Sequence, residues 1–131
     1  MMKQISLATI TIFIVWSALG FLVHGILLQP IYEASASLWR SVDEIKMGLG
    51  YAVSLISAFG FVLIYTLFIT PKSVSTALKF GFIWGIVAGI NAGFATYAYM
   101  PIPESLAWAW YLDLVVGGVV AGWISGLMIK Q

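Results

Sequence analysis

The chain has 131 residues, 62% of them hydrophobic and only 8% charged, and its formal net charge is +1. A soluble domain carries about a quarter charged residues and a nucleic-acid binder shows a basic footprint, so the balance argues against both. There is no cysteine, which excludes disulfides, thiol redox chemistry, thiolate metal sites, iron–sulfur clusters and quinone-linked disulfide oxidoreductases.

Taken in chain order, the first apolar run is Ile5–Leu28. Gln29-Pro30 ends it, since proline cannot continue a helix. Lys3, the run and Ala34-Ser35-Ala36 superficially match a cleavable leader. The run is far longer than the roughly 7–15 apolar residues of a leader, and the Ala-x-Ala lies beyond its end, so a retained span is the expectation. Helical periodicity places Ser6, Thr9, Phe13, Ser17, Gly20 and His24 on one stripe.

Residues 29–46 form an outer loop, in which Tyr32, Glu33, Trp39, Arg40, Asp43 and Glu44 are expected to fold into a compact, salt-bridged cap. Ser41-Val42-Asp43-Glu44 reads as a capping box opening the second helix. The second apolar run, Met47–Ile69, carries a stripe of Gly50, Ser54, Ser57, Ala58, Phe61 and Tyr65 and ends at Thr70-Pro71-Lys72-Ser73.

The third run, Ala77–Met100, has a glycine at every fourth position, Gly81, Gly85, Gly89 and Gly93, and a second small face of Ala88, Asn91, Ala95 and Ala98. After Met100-Pro101-Ile102-Pro103, the fourth run, Leu106–Ile129, repeats the pattern with Gly118, Gly122 and Gly126. Its second face bears Asp113, Gly117 and Ala121. Glycine costs about 1 kcal/mol in a soluble helix. In a bilayer, small residues let helix backbones touch. The reading is an all-α integral membrane domain covering residues 1–131, with spans at about 5–28, 47–69, 77–100 and 106–129. Each span exceeds the roughly 20 residues a crossing needs. A glycine zipper, with right-handed close crossings, is expected between the third and fourth helices.

Lys3, Lys72, Lys79 and Lys130 lie at the termini or beside the second connection. Arg40 and Lys46 lie across the membrane among Glu33, Asp43, Glu44 and Glu104. Positive charge stays inside, so both termini are expected in the cytoplasm. Tyr32, Trp39, Tyr51, Tyr97, Tyr99, Trp108, Trp110 and Tyr111 crowd the outer interface as an aromatic belt, part of which could dock a partner.

Ionisable groups inside a membrane are functional hypotheses by default. His24, Asp113, Glu33 and Glu104 share one depth. One reading is a His24–Asp113 pair with Glu33 nearby, relaying protons or holding a metal. The favoured reading is a hydrogen bond stitching two helices. With one histidine, a closed zinc site would need three carboxylates, so no metal and no cofactor is expected. No nucleophile constellation or phosphate loop is present. The first helix lacks the mid-membrane acid of small multidrug-resistance exporters, and the polar and phenylalanine track of fluoride channels is missing. Ser17, Ser54, Ser57 and Asn91 are too few to line a solute path.

The stretch Phe21-Leu22-Val23-His24-Gly25-Ile26-Leu27-Leu28, with Tyr32-Glu33 and Leu38-Trp39-Arg40, resembles an uncharacterised family of small four-span bacterial inner-membrane proteins. Phe80-Gly81, Met100-Pro101-Ile102-Pro103 and Asp113 extend the resemblance over most of the chain. It implies a four-span fold and the bacterial inner membrane, lends no activity, and draws attention to His24, Tyr32, Glu33, Arg40 and Asp113 as a set. Together these features predict a non-catalytic accessory subunit of a larger membrane complex, respiratory or otherwise redox. Its partners would be the lipid bilayer and other membrane subunits or further copies of itself. The alternative is a small transporter or proton-coupled enzyme working at His24 and Asp113.

Overall fold

The computed structural model describes residues 1–130. The described residues are helical or in turns, with no strand among them. The chain runs through α1 (Met2–Leu27), the short α2 (Gln29–Ala34), α3 (Met47–Phe68), α4 (Val74–Tyr99) and α5 (Glu104–Met128). Four of these, α1, α3, α4 and α5, are long and apolar enough to cross a membrane. They run alternately up and down, so the two chain ends and the α3–α4 turn share one end of the bundle, here the terminal end. The α1–α3 segment and the α4–α5 turn occupy the opposite, loop end.

The closest pairing is between α4 and α5, whose backbones meet where glycines remove side chains. A Cβ added at Gly85 would lie 2.6 Å from the Leu114 carbonyl oxygen. At Gly89 it would lie 2.7 Å from that of Tyr111, and at Gly126 2.7 Å from Val74 Cα. Gly81, Gly93, Gly118 and Gly122 face backbone atoms of the opposing helix still more closely. Any side chain at these positions would force the two helices apart.

The α1 helix lies between α3 and α5. Ile5, Ala8 and Ile12 are buried in a core shared with Ala58, Phe61, Val62 and Tyr65 of α3 and Ala121 and Ile124 of α5. The expected α1 stripe holds in part: Thr9 is buried and Phe13 packs against the core, whereas Ser6 is exposed and the packed face also takes in Ile5, Ala8 and Ile12. Lipid is as apolar as leucine, so hydrophobicity does not decide which side of a membrane helix turns inward; fit does. On α3, Ala58, Phe61 and Tyr65 are buried as the stripe requires, whereas Gly50 and Ser57 are exposed. Leu63 packs against the core. Phe61 sits among Trp16, Phe80 and Trp84, at 6.2, 4.7 and 5.5 Å between ring centroids.

Two turns organise the terminal end. Ser73 caps α4, its hydroxyl accepting the Thr76 amide N–H at 3.1 Å. The Lys72 ammonium donates to the carbonyls of Tyr65, at 3.0 Å, and Ile69, the last turn of α3. A cation there offsets the negative end of the helix dipole.

At the loop end, the capping box is not formed. Ser41 precedes a single 3₁₀ turn at Val42–Glu44, and α3 begins only at Met47, with no side-chain cap at Lys46. From Met47 to Ser57 no residue is buried, and a Cβ on Gly48 or Gly50 would meet nothing within 4 Å. The loop half of α3 thus stands away from the bundle, touching α1 through Phe13 and Tyr51 at 6.3 Å.

Candidate functional site

The last seven residues of α1, Phe21–Leu27, are wound as a π-helix, and Ile90–Ala95 of α4 is another such stretch. A π turn inserts about one extra residue into the helical register and is frequent at functional sites. It sets the angle at which His24 leaves α1. The chain then turns at Leu28 into α2, with Pro30 in the first turn, where the missing N–H costs nothing.

Those two elements bring His24 and Tyr32 together, with Nδ1 and the phenol oxygen 2.7 Å apart. On the other side, His24 Nε2 lies 3.3 Å from Asp113 Oδ2 on α5. Trp110, one turn before Asp113, donates its indole N–H to the Tyr32 oxygen at 2.7 Å. The four side chains form one bonded line: Trp110, Tyr32, His24, Asp113.

Donor bookkeeping sets the proton positions for neutral His24. A carboxylate only accepts, so Nε2 carries the hydrogen and gives it to Asp113. Nδ1 is then a lone pair that accepts the Tyr32 O–H, and the Tyr32 oxygen accepts from Trp110. Every group has a partner. Protonated His24 would donate from both nitrogens, and the Tyr32 hydrogen would have to swing elsewhere.

The His24 side chain is 42% exposed and that of Asp113 17%, so His24, inside the line, is its exposed member. Burial pushes the Tyr32 phenol above its ordinary pKa; the Trp110 hydrogen bond opposes the shift and the Asp113 charge adds to it.

An aromatic lid covers the line. Trp39 meets the Tyr32 ring edge-on at 5.4 Å and Trp110 at 6.0 Å, and its indole N–H donates to the Ser35 hydroxyl at 3.0 Å. Leu28, Ile102 and Leu106 form the apolar floor.

The expected salt-bridged cap is corrected in its chemistry. Arg40 and Glu44 are exposed, and the only ion pair among the described residues is His24–Asp113. Tyr32 and Trp39 hold the cap by ring packing instead, because exposed ion pairs contribute little against side-chain entropy. Glu33 does not join His24; it accepts from the Gln29 amide at 3.1 Å, one turn back on α2. Glu104 is exposed in the first turn of α5, where an acid suits the helix dipole. No group of three or more histidine, cysteine or acidic side chains gathers among the described residues.

Trp110 is the participant that sequence reasoning assigned to the aromatic belt alone. Its spacing of three from Asp113 puts both on one face of α5, which was the available signal. The π-helical turn at His24 has none.

The second small face of α5 is also accounted for. Asp113 reaches His24, the Gly117 carbonyl accepts the Trp16 indole N–H at 2.9 Å, and Ala121 is fully buried. It serves α1 and is not surplus. On α4, Asn91 and Ala98 are exposed, and Asn91 gives its amide to the Val87 carbonyl of its own helix at 2.9 Å.

Comparison with protein-family models, with curated proteins and with solved structures finds no match to this chain.

Proposed function

We propose that this protein is a non-catalytic integral subunit of a larger assembly in a bacterial inner membrane. In this reading both termini are cytoplasmic and α4 and α5 are joined as a glycine zipper. The observation that carries the reading is the loop half of α3. There Gly48, Gly50 and Ser57 are exposed beside Tyr51 and Ile56, on a stretch of helix in which no residue is buried. Small and hydroxyl-bearing residues are what membrane helices present to one another, and lipid chains fill such a surface poorly. The candidate site supports the same reading. Both His24 nitrogens are taken by protein groups.

The deciding experiment is the native mass of the tagged protein in a mild detergent, with its co-purifying proteins identified. A stoichiometric complex is the expected result; a lone monomer would defeat the reading. A Gly50→Leu variant that still co-purifies at wild-type stoichiometry would move the interface away from α3.

The continuous line from Trp110 to Asp113 favours a second reading, a proton-linked transporter or enzyme working at the loop end. His24→Ala and Asp113→Asn separate the two. Normal assembly with loss of a host phenotype supports chemistry at the line; a mere fall in abundance supports the stitch.

A further inference from the structure

We propose that the cavity at the terminal end is a site for a phosphate-bearing anion, which in the membrane is the headgroup of an anionic phospholipid. The cavity measures about 420 Å³ and is lined by Met1, Gln4, Thr66, Thr70, Lys72, Ile129 and Lys130. That volume lies within the roughly 300–1,000 Å³ of ligand-sized clefts. It gathers residues from both ends of the chain and from the α3–α4 turn, at the level where α1, α3, α4 and α5 leave the apolar layer.

Lys72, Lys130, Gln4 and Thr70 supply donor-bearing side chains to the lining, and no aspartate or glutamate is among the described residues that line it. Lys72 spends two of its three N–H donors on the Tyr65 and Ile69 carbonyls, which holds its charge at the wall and leaves one donor free. Thr66 is only 9% exposed and its hydroxyl is buried, so the charge at the wall comes from the lysines.

Charge along the molecule points the same way. Lys3, Lys72, Lys79 and Lys130 lie at the terminal end, which has none of the five acids. Glu33, Asp43, Glu44, Glu104 and Asp113 all lie in the loop half with Arg40 and Lys46. The halves thus carry +4 and −3, summing to the net +1. Basic pockets between helices at the headgroup level are where anionic lipids are held.

The test titrates the full-length protein, in a neutral detergent, with phosphatidylglycerol and with phosphatidylcholine of the same acyl chains, counting bound lipid by native mass spectrometry. Phosphatidylglycerol is expected to bind at least about fivefold more tightly. Lys130→Gln, at an exposed residue outside the core, should weaken it about fivefold, the worth of one lysine near an anionic lipid. Lys79→Gln, outside the cavity, should leave it unchanged. Equal binding of the two lipids overturns the proposal. So does equal weakening by Lys79→Gln and Lys130→Gln, which would mean diffuse attraction. Displacement of the lipid by inorganic phosphate at constant ionic strength supports the phosphate site and identifies the free anion as an occupant; no displacement identifies the lipid.

Discussion

Trp16 on α1 donates its indole N–H to the backbone carbonyl of Gly117 on α5, at 2.9 Å. A Cβ on Gly117 would stand 3.4 Å from the indole nitrogen, an ordinary contact, so the bond does not depend on the glycine. A side chain on one helix thus bonds the backbone of another. Trp16→Phe keeps the ring beside Phe61 and deletes the donor. The expected loss is about 0.6–1.7 kcal/mol, the range for interhelical bonds in membranes, read from reversible unfolding in mixed micelles. No change would assign the contact to ring packing alone.

The glycines of the chain divide by what a methyl would meet, and alanine substitution should divide them the same way. Gly85→Ala and Gly89→Ala push against backbone at 2.6 and 2.7 Å and should each cost about 1–3 kcal/mol by overpacking. Gly20→Ala and Gly60→Ala meet nothing within 4 Å and should be neutral. Gly89→Leu should separate α4 from α5 outright. Leu67, which is exposed, is the lipid-facing control, and Leu67→Ala should leave thermal stability unaltered. Equal melting temperatures across the series would refute backbone contact as the basis of the α4–α5 pair.

The His24–Asp113 contact is best measured by a double-mutant cycle. His24→Ala removes the acceptor of the Tyr32 O–H, whose oxygen keeps Trp110, and the donor to Asp113; water reaches the exposed position, so the cost should be about 0.5–1.5 kcal/mol. Asp113→Asn still offers a carbonyl oxygen to Nε2–H and should cost less. A coupling energy of about 0.6–1.7 kcal/mol is expected. A coupling indistinguishable from zero would mean that the two residues are neighbours without being partners.

Tyr32 links stability to alkaline pH. Its folded pKa is raised, chiefly by burial, so the folded state holds the phenol proton more tightly than the unfolded chain does. The contribution is complete below the unfolded pKa of about 10. It is lost as pH rises from there through the folded value, since stability falls wherever the native state binds more protons. Unfolding free energy should decline above that pH in the wild type and decline less steeply in Tyr32→Phe. Parallel slopes in the two proteins would exclude Tyr32 as the titrating group.

The residue order alone determines that there are four apolar helices and where they stop. The length of each run answers to bilayer thickness, and Pro30, Pro71, Pro101 and Pro103 stand in the breaks. Those are local properties, carried by neighbours in the chain. His24 and Asp113 were equally legible as costly polar groups within apolar runs. Which face of α1 turns inward was decided only in three dimensions, because lipid and protein interior are alike to an aliphatic side chain and packing shape selects Ile5, Ala8 and Ile12. The same holds for the line from Trp110 to Asp113. It depends on a π-helical turn that aims His24, and on α2 folding back so that Tyr32 lies between residues 24 and 110. Neither is written in a periodicity; both arise from how the cap settles on the ends of α1 and α5.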